Sequence, residues 1–124
     1  MEAIDLSSVA AAIDELWKHK TVARLNDYTV KVVNIEGEFV WHEHLETDEL
    51  FLVLSGELII DYPNESVVLG PGQLTVVPKG SRHRTRAKRR ASLLLIEPEG
   101  TINTGQESNS FTHDPEEWMG GASG

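Results

Sequence analysis

Apolar positions recur along this chain at two different periods, and the change falls near residue 21. Before it, Val9, Ile13, Leu16 and Trp17 follow helical spacing, with Ser7 or Ser8 placed to cap. Lys18, His19 and Lys20 fall in the last turn, where the helix dipole favours cations. The pattern predicts an amino-terminal helix braced against the rest of the fold, with His19 on its surface. After it come short β-rich runs at 22–25, 28–35, 38–44, 49–54, 57–62, 66–69, 73–77, 82–88 and 91–97. Turn residues separate them, among them Asn26-Asp27, Ser55-Gly56, Pro63-Asn64, Gly70-Pro71-Gly72 and Lys79-Gly80. Many short strands at regular spacing predict an all-β jelly-roll barrel, a double-stranded β-helix. The polar stretch 99–112 reads as an irregular crossover. Asp114, Pro115, Glu116 and Glu117 then supply a cap, a first-turn proline and acidic residues for a short C-terminal helix, and GGASG reads as a disordered tail. The expected organisation is one domain: a helical segment over 1–20, the barrel over 21–112, and a short helix with its tail over 113–124.

Two blocks inside the β-rich region concentrate chemistry. GEFVWHEHLETDELFLVLSG sets His42, His44, Glu49 and Gly56 in the pattern H-x-H-x4-E-x6-G. GQLTVVPKGSRH sets Gly72, Pro78, Gly80 and His83 in the pattern G-x5-P-x-G-x2-H. Side chains alternate along a strand, so His42 and His44 leave one face together, and Glu49 opens the next strand beside them. His83 joins them if a distant segment folds back, as it does in a barrel. An isolated H-x-H would be surface polarity. Here the flanking runs 38–41 and 50–54 are apolar, so the imidazoles belong to buried strands and need partners. One metal ion satisfies all of them at once. The expected cofactor is therefore one divalent ion (Fe, Mn, Ni, Zn, Co or Cu) held by His42, His44, Glu49 and His83, with one or two coordination positions open. His113, just ahead of the terminal cap, reads as structural rather than as a fifth ligand.

Parity also sorts the neighbours of these residues. Phe51 and Val53 share the face of Glu49, and Thr85 and Ala87 share that of His83. Phe51, Val53 and Thr85 are therefore expected to line the pocket, with Tyr62 and Gln73 as polar candidates. Phe39 and Trp41 alternate away from His42 and read as packing. Leu50, Leu52 and Leu54 make the opposite face of their strand apolar as well, which calls for a cover by the amino-terminal helix or by a second subunit. A homodimer is the expected assembly.

At these residues the chain resembles the cupin superfamily, whose two motifs have the same order and spacing. The resemblance spans about residues 28–105, and it places His42, His44, Glu49 and His83 on the family's metal-ligand positions. Gly37, Gly56, Gly72, Pro78 and Gly80 fall on its turn positions. Where the family pattern often ends in Asn, this chain has Ala87. The segments WHEHLETDELFLVLSGEL, VVPKGSRHR and LLLIEPEGTINTG look like the short single-domain cupins of the mannose-6-phosphate-isomerase-like group. Such a likeness implies a fold without fixing a function.

Composition narrows the function classes. The chain has no cysteine, which removes disulfides and thiolate ligands, and no apolar run near membrane-spanning length. Its start lacks a basic leader, so a cytoplasmic protein is expected. The net charge of -9 argues against nucleic acid, yet seven of the eleven basic residues lie between Lys79 and Arg90. Arg82, Arg84 and Arg86 alternate with the His83 face and are expected on the outside, paired with acids or facing a second subunit. A sugar-phosphate isomerase would want an inward cation for the phosphate, which that placement does not supply. The expected function is metal-centred chemistry on a small organic molecule, of dioxygenase, isomerase or lyase type, with Glu49 also able to serve as a base. The alternative is a metal-dependent binding or sensing protein without turnover. Whether the protein is an enzyme is left open by the sequence.

Overall fold

The computed structural model describes residues 2–105 and 109–119. Its elements run α1 (Leu6–Ala12), β1 (Lys20–Leu25), β2 (Tyr28–Glu38), β3 (Glu49–Ser55), β4 (Leu58–Tyr62), β5 (Glu65–Leu69), β6 (Leu74–Val77), β7 (Arg84–Pro98) and β8 (Glu116–Glu117). The all-β jelly-roll barrel expected from the strand pattern is what forms.

The longest strand organises it. One side of β7 pairs along nearly all of β2, from Tyr28↔Pro98 to Glu38↔Arg86. The other side pairs with β4 near its start, Ile60↔Thr85, and with β3 near its end, Phe51↔Leu95. The register between β2 and β7 slips between Ile35 and Gly37, opposite Lys88, Arg89 and Arg90, and there the ladder bends from one pair of strands to the other. This explains why the two runs expected at 82–88 and 91–97 are one continuous strand. The β3–β4 turn crosses β7 so closely that a Cβ on Gly56 would lie 2.9 Å from Ala91, and the φ of 81° there also requires glycine.

Alternation then fills the barrel. Val33 and Ile35 of β2, Phe51 and Val53 of β3, and Leu93 and Leu95 of β7 point inward and pack with Leu58, Ile60, Leu69 and Val77. On the outer face α1 sets Val9, Ala10 and Ile13 against Val32, Val22 and Leu54. The helix is shorter than expected. Asp5, not Ser7 or Ser8, caps it, accepting from the backbone N–H groups of Ser7 and Ser8. It ends by Ile13 because distant residues take its last carbonyls: the Asn34 amide donates to Ala10 O and Ile13 O, and Arg90 donates to Ile13 O at 2.7 Å. Leu16 and Trp17 therefore lie outside the helix, and Trp17 adopts a φ of 66°.

The C-terminal helix expected at 114–118 is a strand. Glu116 N donates to His19 O and Trp118 N to Thr21 O, so this segment adds in parallel to β1. Tertiary pairing outweighs a local capping signal. The tail expected over 120–124 lies outside the described residues.

Candidate metal centre

The segment between β2 and β3, residues 39–48, is irregular instead of the strand expected at 38–44. Its one ladder contact is a two-way bridge in which His42 N donates to His83 O and His83 N to His42 O, both at 2.9 Å. Gly80 N donates to His44 O at 2.8 Å, and Lys79 N to the Asp48 carboxylate at 2.9 Å. The 78–83 turn is thereby fixed against the His42–His44 segment, and the first residue of β3 brings Glu49 to the same place.

All four expected ligands meet. One ligand atom from each of His42, His44, Glu49 and His83 lies within 4.8 Å of the others, and all four residues are buried. Donors opposite each other on one ion stand roughly 4.2 Å apart at a metal–nitrogen distance of about 2.1 Å, so the cluster is close to the size an ion requires. The rings are oriented for it. His42 Nδ1 donates to Val40 O and His83 Nδ1 to Ser81 O, each at 2.9 Å, which places the proton on Nδ1 and leaves the Nε2 lone pair free. His44 Nε2, His83 Nε2 and Glu49 Oε1 are buried without any hydrogen-bond partner. Three orphaned acceptors converging on one point fit a cation, because each would otherwise be desolvated for nothing.

Electrostatics agree. Burial, then the neighbouring His83, pushes His42 down to about 3. Burial also lowers His44 and His83, so the three imidazoles are neutral and available near neutral pH. Burial raises the Glu49 carboxyl, which a cation would reverse.

Around the ligands the structure adds residues that the motif did not announce. Lys31 of β2 and Glu97 of β7 form an ion pair of 2.7 Å with side chains only 2% and 0% exposed. Glu97 also lies against Glu49, and its carboxyl is pushed up to about 8, chiefly by burial and next by the charge of Glu49. The two carboxyls therefore lie side by side in the barrel, with Lys31 as the cation that faces Glu97. Lys31, Glu49 and Glu97 continue the inward faces marked by Val33, Phe51 and Leu95, so the same parity that defined the core pointed to them.

A small cavity adjoins the cluster, with room for about 20 Å³, lined in part by His42, Glu49, Phe51, Phe39, Trp17 and His19. Thr85 lines it as expected. Val53 is buried in the core outside the lining. Tyr62 is half-buried and lines an outer groove with Pro63 and Thr75. Gln73 is exposed, and its amide oxygen accepts from Gly70 N, so it holds a turn and does not reach the site. Phe39, expected to point away, instead stacks on Trp17 at 5.0 Å and touches the His42 ring edge-on at 5.3 Å. Strand parity failed there because 39–48 is not a strand. Trp41 carries the Arg84 guanidinium over its ring. His19 is buried rather than on the surface, and burial pushes it down to about 4. His113 is structural, its Nε2 donating to Trp17 O. Arg84 and Arg86 face outward but close on Asp61 of β4 at 3.0 and 2.8 Å, which gives them an acid within the chain.

Comparison with known proteins agrees with this geometry. Residues 30–97, more than half of the chain, match the family described as the cupin domain. The chain belongs to the cupin family. A cupin-2 domain protein of Shewanella frigidimarina superposes with a TM-score of 0.76 at 38% identity, over 77% of this chain and 94% of that one. The Bacillus subtilis protein YdbB is 37% identical over 94 residues, which is 75% of this cupin and 83% of YdbB. A hydroquinone 1,2-dioxygenase solved with Cd2+ and 4-hydroxybenzonitrile superposes with a TM-score of 0.68 at 20% identity, over 85% of this cupin and 76% of that chain, a likeness of fold alone. Among the described residues, no helix is long and apolar enough to cross a membrane.

Proposed function

We propose that this cupin holds one divalent ion through His42, His44, Glu49 and His83 and acts on a small organic molecule at that ion. The observation that carries the reading is the convergence of three ligand atoms without hydrogen-bond partners beside a small, largely apolar cavity. An iron-type ion bound there supplies redox chemistry toward dioxygen, and a zinc-type ion supplies Lewis acidity alone. The chain's own part is to orient and to exclude. Backbone carbonyls fix the rings of His42 and His83, Glu97 lies against Glu49, and Trp17, Phe39 and Phe51 line the cavity with aromatic surface. A sugar-phosphate substrate is disfavoured, since the inward Lys31 is committed to Glu97, and Arg84 and Arg86 face outward and pair with Asp61.

Metal replacement tests this. Protein loaded with Fe(II) is expected to consume dioxygen with small phenols or enolisable ketones, and protein loaded with Zn(II) is expected to be inert. Equal turnover with zinc would remove the dioxygenase reading in favour of Lewis-acid isomerase or lyase chemistry. A second reading, binding without turnover, is favoured by the small volume of the cavity, which holds about one water as it stands. Tight ligand binding by calorimetry with no turnover under any metal would select it.

The same reading includes a homodimer. Leu50 and Leu52 of β3 pair with Val76 and Leu74 of β6, and this outer face is not among the residues packed against α1. Leu74 and Val76 are 58% and 45% exposed. Light scattering at micromolar concentration is expected to give twice the chain mass, and Leu74→Glu to halve it. A monomeric mass for the unaltered protein would remove the dimer. If the face of Arg84 and Arg86 joins this interface, Arg84→Glu should also weaken the dimer, and an unchanged mass would leave that face to solvent.

A further inference from the structure

We propose that His19 is a ligand-contacting residue of the cavity, hydrogen-bonding a neutral hydroxyl or carbonyl oxygen of a small flat molecule whose other end reaches the metal ligands. This rests on the metal reading above but concerns a residue outside the matched family segment, which begins at residue 30. His19 is 8% exposed, it lines the cavity that His42 and Glu49 also line, and its Nδ1 is buried with no hydrogen-bond partner. A buried nitrogen left unpaired is costly, and it is tolerated where a ligand completes it. The rest of the wall selects the ligand's body: Phe39, Phe51, Leu93 and Leu95 offer only apolar and aromatic surface.

The chemistry of the contacted group follows from its charge state. Burial holds the imidazole well below its usual range, so near neutral pH it offers a neutral donor or acceptor and no cation for a carboxylate or phosphate. The backbone around it is firmly placed: Glu116 N donates to His19 O, and the ring meets His113 edge-on at 5.4 Å. Asn103, the other amide on the wall, is already engaged, its nitrogen with Phe111 O and its oxygen with His113 N. That leaves His19 with an unmet hydrogen bond. Trp17 lines the cavity beside it, its ring stacked on Phe39 and its backbone N–H donating to Asn34 O. At about 20 Å³ the cavity is water-sized, so admission of a ring-sized ligand requires its wall to open.

The test compares phenol with resorcinol, which differ by one hydroxyl, on full-length protein loaded with Zn(II), read by calorimetry. Resorcinol is expected to bind about fivefold more tightly, the ratio one net hydrogen bond gives. His19→Phe should bring the ratio of the two affinities to about one while leaving zinc content unchanged. His19→Asn, whose amide overlies the position of Nδ1, should keep part of it, and covers the case in which the Phe variant fails to fold. A resorcinol preference that survives in His19→Phe, or zinc-loaded protein that binds neither probe, overturns the proposal. Zinc content measured on the same samples separates that result from a failure of the metal site itself.

Discussion

His42→Ala combined with His83→Ala is expected to reduce metal content from close to one ion per chain to near zero. Loss of residues that merely orient a ligand costs about 10–100-fold in affinity, so removing two of the four ligands directly should exceed that range. The loss should be specific, because the two bridge hydrogen bonds between residues 42 and 83 are backbone bonds and survive the substitution. Full occupancy in the double variant would sink the ligand assignment. The same histidines predict how the metal-free protein responds to acid. His42 and His19 are depressed to about 3 and about 4, and His44 and His83 are lowered too, while an unfolded histidine titrates near 6.5. Below that value the unfolded chain binds protons that the folded one refuses, so their contribution is intact above about pH 6.5 and is lost as pH falls toward 3. Glu97 and Glu49 act in the opposite sense, since their raised values favour the protonated fold at low pH. Four histidines against two carboxyls make acid destabilising on balance. Urea midpoints of chelator-treated protein should fall steadily from pH 6.5 to pH 4.5, and a flat profile would mean that these rings are solvated.

What was legible in the sequence divides along a physical line. Motif spacing located the four ligands because glycine and proline turns fix where strands begin, and the barrel does the rest. Parity held wherever the backbone is regular: Phe51 and Thr85 line the cavity as expected. It failed at Phe39, where the chain leaves the sheet, and it did not fix the direction of Gln73, whose side chain folds onto its own turn. The end of α1 was hidden for another reason. Asn34 and Arg90, far along the chain, accept the role of cap, and no local pattern announces them. His19 illustrates the same limit, since a basic-looking Lys-His-Lys cluster reads as surface until the backbone of residues 113–118 pairs beside it. The Lys31–Glu97 pair is different. Its signal was present in the alternations Lys31-Val33-Ile35 and Leu93-Leu95-Glu97, but an inward charge opposes the expectation that barrel interiors are apolar.

That pair carries the largest stability effect expected of any single change. Lys31→Met leaves Glu97 buried without its cation, and breaking a buried pair in this way costs about 3–5 kcal/mol. A domain of this kind is stable by about 5–15 kcal/mol in all, so the variant should melt markedly lower and yield less soluble protein. Adding Glu97→Leu should restore much of the loss, because replacing both partners by apolar groups of similar volume is often neutral or better. The rescued double variant then isolates the functional part of the pair. It keeps all four ligands but lacks the carboxyl that lies against Glu49, so its metal affinity should fall by about 10–100-fold while its melting temperature recovers. Competition with a chelator of known affinity measures the first quantity and calorimetric melting the second. If affinity and stability recover together, Glu97 serves only to neutralise Lys31. If stability recovers and affinity does not, the buried charge pair is kept in the barrel to orient the glutamate ligand, at a cost to stability that an all-apolar interior would avoid.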